Sequence, residues 1–219
     1  MSGLSEEERR VFDYLVNAIA ERRLAPGVRL VEADLANTFE VSRGKVRKVL
    51  LALGETHGVR HEPNRGTHVA RPSLEEAHGT IASRLLIEPR VAHDLALLPS
   101  RQRAASCKQL LKHVTLEQQA FTRHARGEEI RLSGQFHVLM CQSLGNRVLA
   151  EIVERLVLLS SLALATHVPT VSDRCGPEDH LNIVHAIRDE RDTAASKAME
   201  HQQRHNEQAR RLETETVAI

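Results

Sequence analysis

Lys and Arg residues are concentrated in one short stretch of the chain, where their side chains could bind anionic groups such as phosphates. Positions 41–71 hold seven Lys and Arg residues against two acidic residues, although the formal net charge of all 219 residues is only +1. A cationic stretch in an otherwise slightly acidic chain favours local contact with phosphate groups. A solvated basic surface without a partner is the alternative, and the placement of the cations bears on the choice.

These cations fall on a predicted helix that has one apolar face. Ser42 is a suitable N-cap for it. Apolar residues then recur at the spacing of a single helix face, at Val46, Val49, Leu50 and Leu53. Because each residue turns a helix by about 100°, Lys45 and Arg47 point away from that face and Arg43 lies at its boundary. The exposed first turn of such a helix can enter the major groove of DNA, where Arg binds guanine.

Two further helices are predicted before the basic one. A capping box formed by Ser5 and Glu8 begins the first helix, and Pro26 with Gly27 ends it. A second, shorter helix is predicted over residues 31–39. Three short helices in this order are typical of a helix-turn-helix unit.

A β-hairpin is predicted directly after the basic helix. Residues 59–62 and 67–70 are short extended candidates, and the turn-prone tetrapeptide 63–66 lies between them. Arg65 lies at the tip of that turn. The sequence therefore predicts a winged helix-turn-helix with a basic wing.

Five separated motifs in this part of the chain support a more specific assignment. They are Leu24-Ala25-Pro26-Gly27-Val28-Arg29-Leu30, Asp34-Leu35-Ala36, Val41-Ser42-Arg43, Val46-Arg47 and Pro63-Asn64-Arg65-Gly66-Thr67-x-Val69. In identity and order they resemble the DNA-binding domain of GntR-family transcription regulators, here residues 1–71. The resemblance implies that operator DNA is contacted by six residues, Ser42, Arg43, Lys45, Arg47, Arg65 and Gly66.

The chain departs from that family pattern at several positions. Glu40 stands where the family usually has Gly, so we expect a left-handed backbone there at a cost of about 1 kcal/mol. Gly44 and Lys45 replace the usual Thr-Pro, and Lys48 replaces a usual Glu. The operator sequence therefore does not carry over from relatives.

The rest of the chain, residues 72–219, is predicted to be an antiparallel helical bundle. Hydrophobic residues make up 41% of the chain but aromatic residues only 2%, which favours closely packed helices built from Leu, Val, Ile and Ala. About six helices are predicted across residues 73–212. The predicted breaks lie at Pro99, Gly127, Gly145, the 169–177 loop and the charged 188–192 turn. The fold class is therefore mainly α.

Motifs in this second part also point to one family. They are the pair Ser73 and Glu76, the segment Arg84-Leu85-Leu86-Ile87-Glu88, Phe136-His137 followed by Gly145-Asn146, and His180-x-x-Ile183-x-x-Ala186-Ile187. They resemble the all-helical effector domain, called FCD, of FadR-like GntR regulators. The resemblance implies a domain that binds a small effector and dimerises.

The resemblance also implies a divalent metal site for Zn, Ni or Mn, held by an Asp and three His residues. His137 and His180 match two of these positions, but the Asp position is Ser133. The last His position falls on Gln202, with His201 one residue earlier; His205 is a further candidate if His201 serves. The metal set is therefore His137, His180 and His201, and the alternative is a metal-free polar pocket lined by His137, His180, Ser133 and Gln202.

Arg84 is the candidate partner for a carboxylate on the effector, because its planar guanidinium matches that group. An ion pair with Glu88, four residues later on the same helix, is the equally supported alternative. The candidate effector site thus contains Arg84, Ser133, His137, His180 and Gln202.

These features predict a ligand-responsive, non-enzymatic transcription regulator. It is expected to bind a palindromic double-stranded operator as a homodimer and to sense a small carboxylate-bearing metabolite. One alternative is a metal-dependent hydrolase using His137 and His180, for which no carboxylate is placed as a general base. Another is a helical scaffold protein in which the histidines and the basic stretch are incidental.

A cytoplasmic location without membrane association is expected. The longest nearly apolar stretch, residues 156–165, is too short to span a bilayer, and the acidic N-terminus is unlike a secretory signal. The three cysteines, Cys107, Cys141 and Cys175, form no CxxC pair and suggest reduced, buried thiols.

Overall fold

The computed structural model describes residues 3–56, 58–167 and 176–216, and the side chains among these up to Arg204. Three helices and three short strands come first: α1 Glu6–Ala20, β1 Arg29–Leu30, α2 Glu32–Phe39, α3 Arg43–Glu55, β2 Val59–Glu62 and β3 Gly66–Val69. Six helices follow: α4 Leu74–Ala96, α5 Ser100–Thr122, α6 Arg126–Ser143, α7 Arg147–His167, α8 Pro177–Arg188 and α9 Asp192–Thr216. The predicted mainly α fold class is confirmed.

The N-terminal part is the winged helix-turn-helix that the sequence predicts. Both hydrogen bonds of the Ser5–Glu8 capping box are present at the start of α1. Strands β2 and β3 pair as the antiparallel wing, and β1 joins the far side of β3 in the sheet order β1-β3-β2. The sequence did not predict β1, because a two-residue strand has no periodicity and its partner is distant in the chain.

Glu40 ends α2 in the left-handed conformation, with φ 55° and ψ 42°. A side chain in this region of backbone space costs about 1 kcal/mol. The backbone therefore keeps the turn geometry that Gly would favour, and the chain reaches Ser42 and α3 through it.

The C-terminal helices enclose a core built mainly from Leu, Val, Ile and Ala around Phe136. Pro99 is the N-cap of α5, and Gly145 follows α6 with a positive φ of 79°, both at predicted breaks. The break predicted at Gly127 was wrong: Gly127 is the second residue of α6, and the chain turns at His124, which has a φ of 54°. Cys107 and Cys141 are buried free thiols, and Cys175 lies outside the described residues.

Helix α7 connects the two parts through direct packing. Leu158 and Leu162 on α7 belong to the same buried cluster as the cores of α1 and α3. Glu21, the C-cap of α1, accepts a hydrogen bond from Arg131 Nε of α6 at 2.9 Å. The 71/72 boundary expected from the sequence falls in the connection between β3 and α4, while the packing runs across it. Within the described part of the chain, no helix is long and apolar enough to cross a membrane.

Candidate functional sites

Helix α3 has one face in the core and the opposite face outside. Ser42 caps it, and its Oγ accepts a hydrogen bond from the backbone N–H of Lys45 at 3.4 Å. Its inner side chains have no solvent exposure at four positions, Val46, Val49, Leu50 and Leu53. Ser42, Arg43 and Arg47 are exposed on the other side, and Lys45 is half-buried. The structure therefore brings all four predicted contact residues of α3 to one accessible surface.

Most cations of α3 are paired with acids from the two preceding helices. Lys45 Nζ lies 2.5 Å from Glu7 Oε2 and Lys48 Nζ lies 2.8 Å from Glu8 Oε2. Hydrogen bonds from these lysines lower the pKa of both glutamates. Each cation is therefore partly neutralised by an acid of the first turn of α1.

Arg47 is held in the same way by an acid of α2. Its Nε and Nη2 donate to the two carboxylate oxygens of Glu32 at 3.0 and 2.8 Å, which lowers the pKa of Glu32. No acidic side chain among the described residues lies within ion-pairing distance of Arg43. Arg43 is therefore the cation of α3 that needs no rearrangement to meet a phosphate or a base.

Arg65 lies at the tip of the wing and is 79% exposed. The turn is formed by Asn64 and Gly66, which have φ values of 62° and 89°. Arg65 lies 3.6 Å from Glu62, a loose and exposed ion pair. The wing thus presents Arg65 and Gly66, the two predicted contact residues outside α3, at an accessible tip.

A buried polar network occupies the interior of the bundle. Arg84 donates from Nε and Nη2 to the two oxygens of Glu88 at 2.6 and 3.3 Å. Glu88 Oε2 also lies 2.9 Å from His137 Nδ1 and accepts a hydrogen bond from Gln203. Burial opposes ionisation of Glu88, but Arg84 and His137 outweigh it and lower its pKa to about 2, whereas burial lowers the pKa of His137 to about 4. The Arg84–Glu88 ion pair, one of the two roles open for Arg84, is thus present.

A second part of this network surrounds His180. Its Nδ1 lies 2.6 Å from Glu117 Oε2, and its ring stacks on Phe136 with 3.9 Å between centroids. His113 Nε2 lies 3.3 Å from the other oxygen of Glu117. Although burial opposes it, the neighbouring imidazoles of His113 and His180 lower the pKa of Glu117 to about 2. The other nitrogen of His180, Nε2, lies 2.5 Å from the side-chain amide nitrogen of Gln202.

This donor set does not fit a resident metal ion. Gln202 is buried beside His180, whereas His201 is exposed, so the last helix presents an amide rather than an imidazole. Among the described residues, no group of three His, Cys, Asp or Glu side chains is arranged to hold a metal. The side chain of His205 lies outside the described residues.

A cavity of about 520 Å³ opens beside this network. Its lining includes four of the predicted effector residues, Arg84, Ser133, His137 and Gln202. His180 lies behind Gln202 and contacts it, with no exposed surface of its own. The volume is within the range of pockets that bind small molecules. The predicted effector residues are therefore brought together around one space.

Sequence reasoning missed Glu117 and His113 as site residues. Glu117 follows Leu110 and Val114 at the spacing of one helix face, and all three are buried. A charged residue on an otherwise apolar helix face is a detectable signal of a buried polar site. Its partner His180 lies 63 positions later, so the pairing itself had no local signal.

A winged helix-turn-helix packed on a helical bundle with an interior cavity defines a class of transcription regulators. Two family models match the chain: "Bacterial regulatory proteins, gntR family" over residues 7–69 and "FCD domain" over residues 80–205. The second match covers more than half of the chain. The chain therefore belongs to the GntR family of transcription regulators, in the branch with an FCD domain.

Known relatives agree with this assignment. The HTH-type transcriptional repressor RspR of Escherichia coli (strain K12) is 26% identical over 214 residues, which cover 94% of this chain and 90% of that protein. The HTH-type transcriptional regulator BphR of Paraburkholderia xenovorans (strain LB400) is 39% identical over 77 residues, 35% of this chain and 31% of that protein.

Solved structures show the same fold. E. coli McbR/YncC has a TM-score of 0.76 at 17% identity, over 96% of this chain and all of that one. A GntR regulator from Rhodococcus sp. RHA1 has a TM-score of 0.72 at 22% identity, over 94% of this chain and 98% of that one.

Proposed function

We propose that this regulator binds a palindromic DNA operator as a homodimer and that a small molecule in the bundle cavity changes that affinity. The observation that supports it most is the orientation of α3. Its apolar residues are fully buried in the N-terminal core, so Arg43 and Arg47 face outward on the first turns. In helix-turn-helix proteins, that part of the recognition helix contacts base edges in the major groove.

A homodimer is proposed because two copies of a winged helix can bind the two halves of a palindromic operator at once. In this proposal the protein is not an enzyme and acts in the cytoplasm on chromosomal DNA. The effector acts only through its different affinities for DNA-competent and DNA-incompetent arrangements of the dimer.

We further propose that the effector binds without a metal. Gln202 bonds to His180 where a ligand imidazole would be needed, and Ser133 supplies no negative charge. The carboxylate-bearing effector remains a prediction from Arg84. Because Arg84 already donates two hydrogen bonds to Glu88, it can bind an effector carboxylate only by sharing its guanidinium between two carboxylates.

The test begins with selection of operators from a random pool of DNA duplexes by the full-length chain. Fluorescence anisotropy then measures the affinity of the selected duplex, and sedimentation of the complex measures its stoichiometry. We expect two chains per palindromic duplex. A folded chain with no affinity for any duplex at low salt would contradict the DNA-binding proposal, and one chain per duplex would contradict the dimer.

A matched pair of variants makes the test specific to α3. Arg47→Ala removes a cation from the proposed contact surface, and Lys108→Ala removes one from the exposed side of α5. We expect Arg47→Ala to weaken binding by roughly 5-fold to 150-fold, the effect of losing one Arg–base contact, and Lys108→Ala to leave it within about twofold. Equal losses of affinity in the two variants would show that binding depends on net charge and not on the surface of α3.

A further inference from the structure

We propose that the effector cavity is shared by the two parts of the chain and binds an amphipathic small molecule. Its polar head lies among the buried groups of the bundle, and its apolar body lies against α1 of the DNA-binding domain. This inference rests on the proposed function and names the ligand class and the route by which the ligand acts.

The walls of the cavity come from both parts. Helix α1 contributes Phe12, Val16 and Ala20, which follow each other at four-residue spacing and form one stripe of the helix. The same helix also packs into the N-terminal core, which contains Val11, Phe12 and Leu15 and has Val16 packed against it. Phe12 and Val16 therefore lie where the N-terminal core borders the cavity.

The apolar body of the ligand is assigned to the apolar residues of α1 and α7 in the lining. The α7 residues include Val157, Leu158 and Leu164. Contact with such walls favours methylene or aromatic groups, by about 25 cal/mol per Å² of apolar surface removed from water.

The polar head is assigned to the buried polar residues of the lining. Arg84, His137 and Gln202, on α4, α6 and α9, line the cavity together with Glu117 of α5, whose side chain is 4% exposed. Glu117 Oε1 is buried, and its neighbour His113 Nε2, 3.3 Å away, lies closer to the carbonyl oxygen of Leu132, at 2.8 Å. A buried carboxylate oxygen with unused accepting capacity favours a donor such as a hydroxyl on the ligand.

Helix α1 also links this cavity to the DNA-binding surface. Its fifteen residues span about 22 Å. Glu7 in its first turn is paired with Lys45 of α3, whereas Glu21 at its C-cap is paired with Arg131 of α6. A ligand that fills the space between α1 and α7 therefore favours one placement of α1 over others, and the placement of α1 affects the surface of α3.

The test uses straight-chain 1-alkanols from butanol to nonanol, which have a hydroxyl head and differ only in the apolar body. Binding to the full-length chain is measured by the rise in melting temperature with alkanol concentration. For the wild-type chain, we expect the dissociation constant to fall about fourfold with each methylene. An affinity that does not depend on chain length, or no binding by any alkanol, would overturn the proposed ligand class.

Ala20→Phe narrows the cavity where α1 lines it. The control is Ala104→Phe, which adds the same ring to the exposed side of α5. We expect Ala20→Phe to leave butanol binding within about twofold and to remove most of the gain for octanol and nonanol, and Ala104→Phe to match the wild type. If Ala20→Phe does not fold, Val16→Ala, which lowers only long-chain affinity in this account, replaces it. Alkanol affinities of Ala20→Phe equal to those of the wild type would overturn the proposal that α1 shares the cavity.

Operator binding by the same proteins separates the two proposals. Nonanol should change the operator affinity of the wild type at least threefold and leave that of Ala20→Phe within about twofold. If no duplex binds even without alkanol, the proposed function fails, while the chain-length series still reports on the cavity.

Discussion

The surface of α3 and the interior of the bundle both contain ion pairs, but the surface pairs are exposed to water and the interior pairs are buried. Lys45 and Glu7 at the surface are 40% and 56% exposed, whereas Arg84 and Glu88 in the interior are 7% and 2% exposed. Exposed pairs contribute about 0–1 kcal/mol and are screened by salt, so their cations can exchange an acid for a phosphate. Exchanging the partners of a buried pair has a high energetic cost, because a buried charge without its partner is not hydrated. The surface is therefore suited to reversible DNA contact and the interior to a fixed site.

The largest effect is expected from a substitution that breaks the buried pair of Arg84 and Glu88. Glu88→Gln leaves the Arg84 charge buried without its carboxylate, so we expect the free energy of unfolding to fall by about 3–5 kcal/mol. Glu151→Gln, in the exposed Arg147–Glu151 pair, is the control, with an expected change within about 0.5 kcal/mol. Urea unfolding followed by circular dichroism measures both. Similar small changes in the two variants would contradict the contrast between interior and surface.

The buried carboxylates of the interior also predict how the free energy of unfolding depends on pH. Glu88 and Glu117 both have a pKa of about 2 in the folded chain, below the ordinary value of 4.5. Stabilisation from these groups is therefore present above pH 4.5 and is lost as the pH falls toward 2, because the unfolded chain binds their protons first. We expect Glu117→Gln to flatten the dependence of unfolding free energy on pH in this window. A slope equal to that of the wild type would show that Glu117 is not held in its charged form.

Two substitutions test whether the interior is a metal-free site. Ser133→Asp combined with Gln202→His supplies the carboxylate and the imidazole that the donor set lacks. After incubation with Zn²⁺ and dialysis, we expect the double variant to retain roughly one metal per chain and the wild type to retain little, as measured by elemental analysis. A wild-type chain that keeps stoichiometric metal would contradict the metal-free proposal.

The smallest effect concerns an exposed pair of α3. Glu32→Gln frees the guanidinium of Arg47 for DNA, so we expect operator affinity at low salt to rise by about twofold to fivefold, the scale of one exposed ion pair. Glu75→Gln makes the same change in net charge on the exposed first turn of α4. Fluorescence anisotropy compares the two. An equal rise in both variants would attribute the effect to net charge rather than to release of Arg47.

Local pattern explains why the outline of the DNA-binding surface was predictable. The outward direction of Arg47 followed from helical periodicity, and the left-handed conformation of Glu40 followed from its place in a turn that usually contains Gly. The acids paired with these cations were not predicted, because Glu7 meets Lys45 across 38 positions of the chain. Contacts between distant elements leave no periodic signal.

The interior was less predictable for the same reason. Sequence reasoning gathered His137, His180 and Gln202 through a family pattern, and the structure places Gln202 against His180. Glu117 and the α1 wall of the cavity had no counterpart in that pattern. Both arise from packing between elements that are far apart in the chain.

The salt dependence of operator binding tests the central claim most directly. Log affinity of the full-length chain for its selected duplex is measured against log salt concentration for the wild type, Arg43→Ala and Lys108→Ala. If Arg43 contacts a phosphate, its loss should reduce the slope by about one; if it contacts a base, its loss should relax sequence preference instead. Lys108→Ala should change neither. Wild-type slope and wild-type preference in Arg43→Ala would contradict the assignment of α3 as the DNA-reading helix.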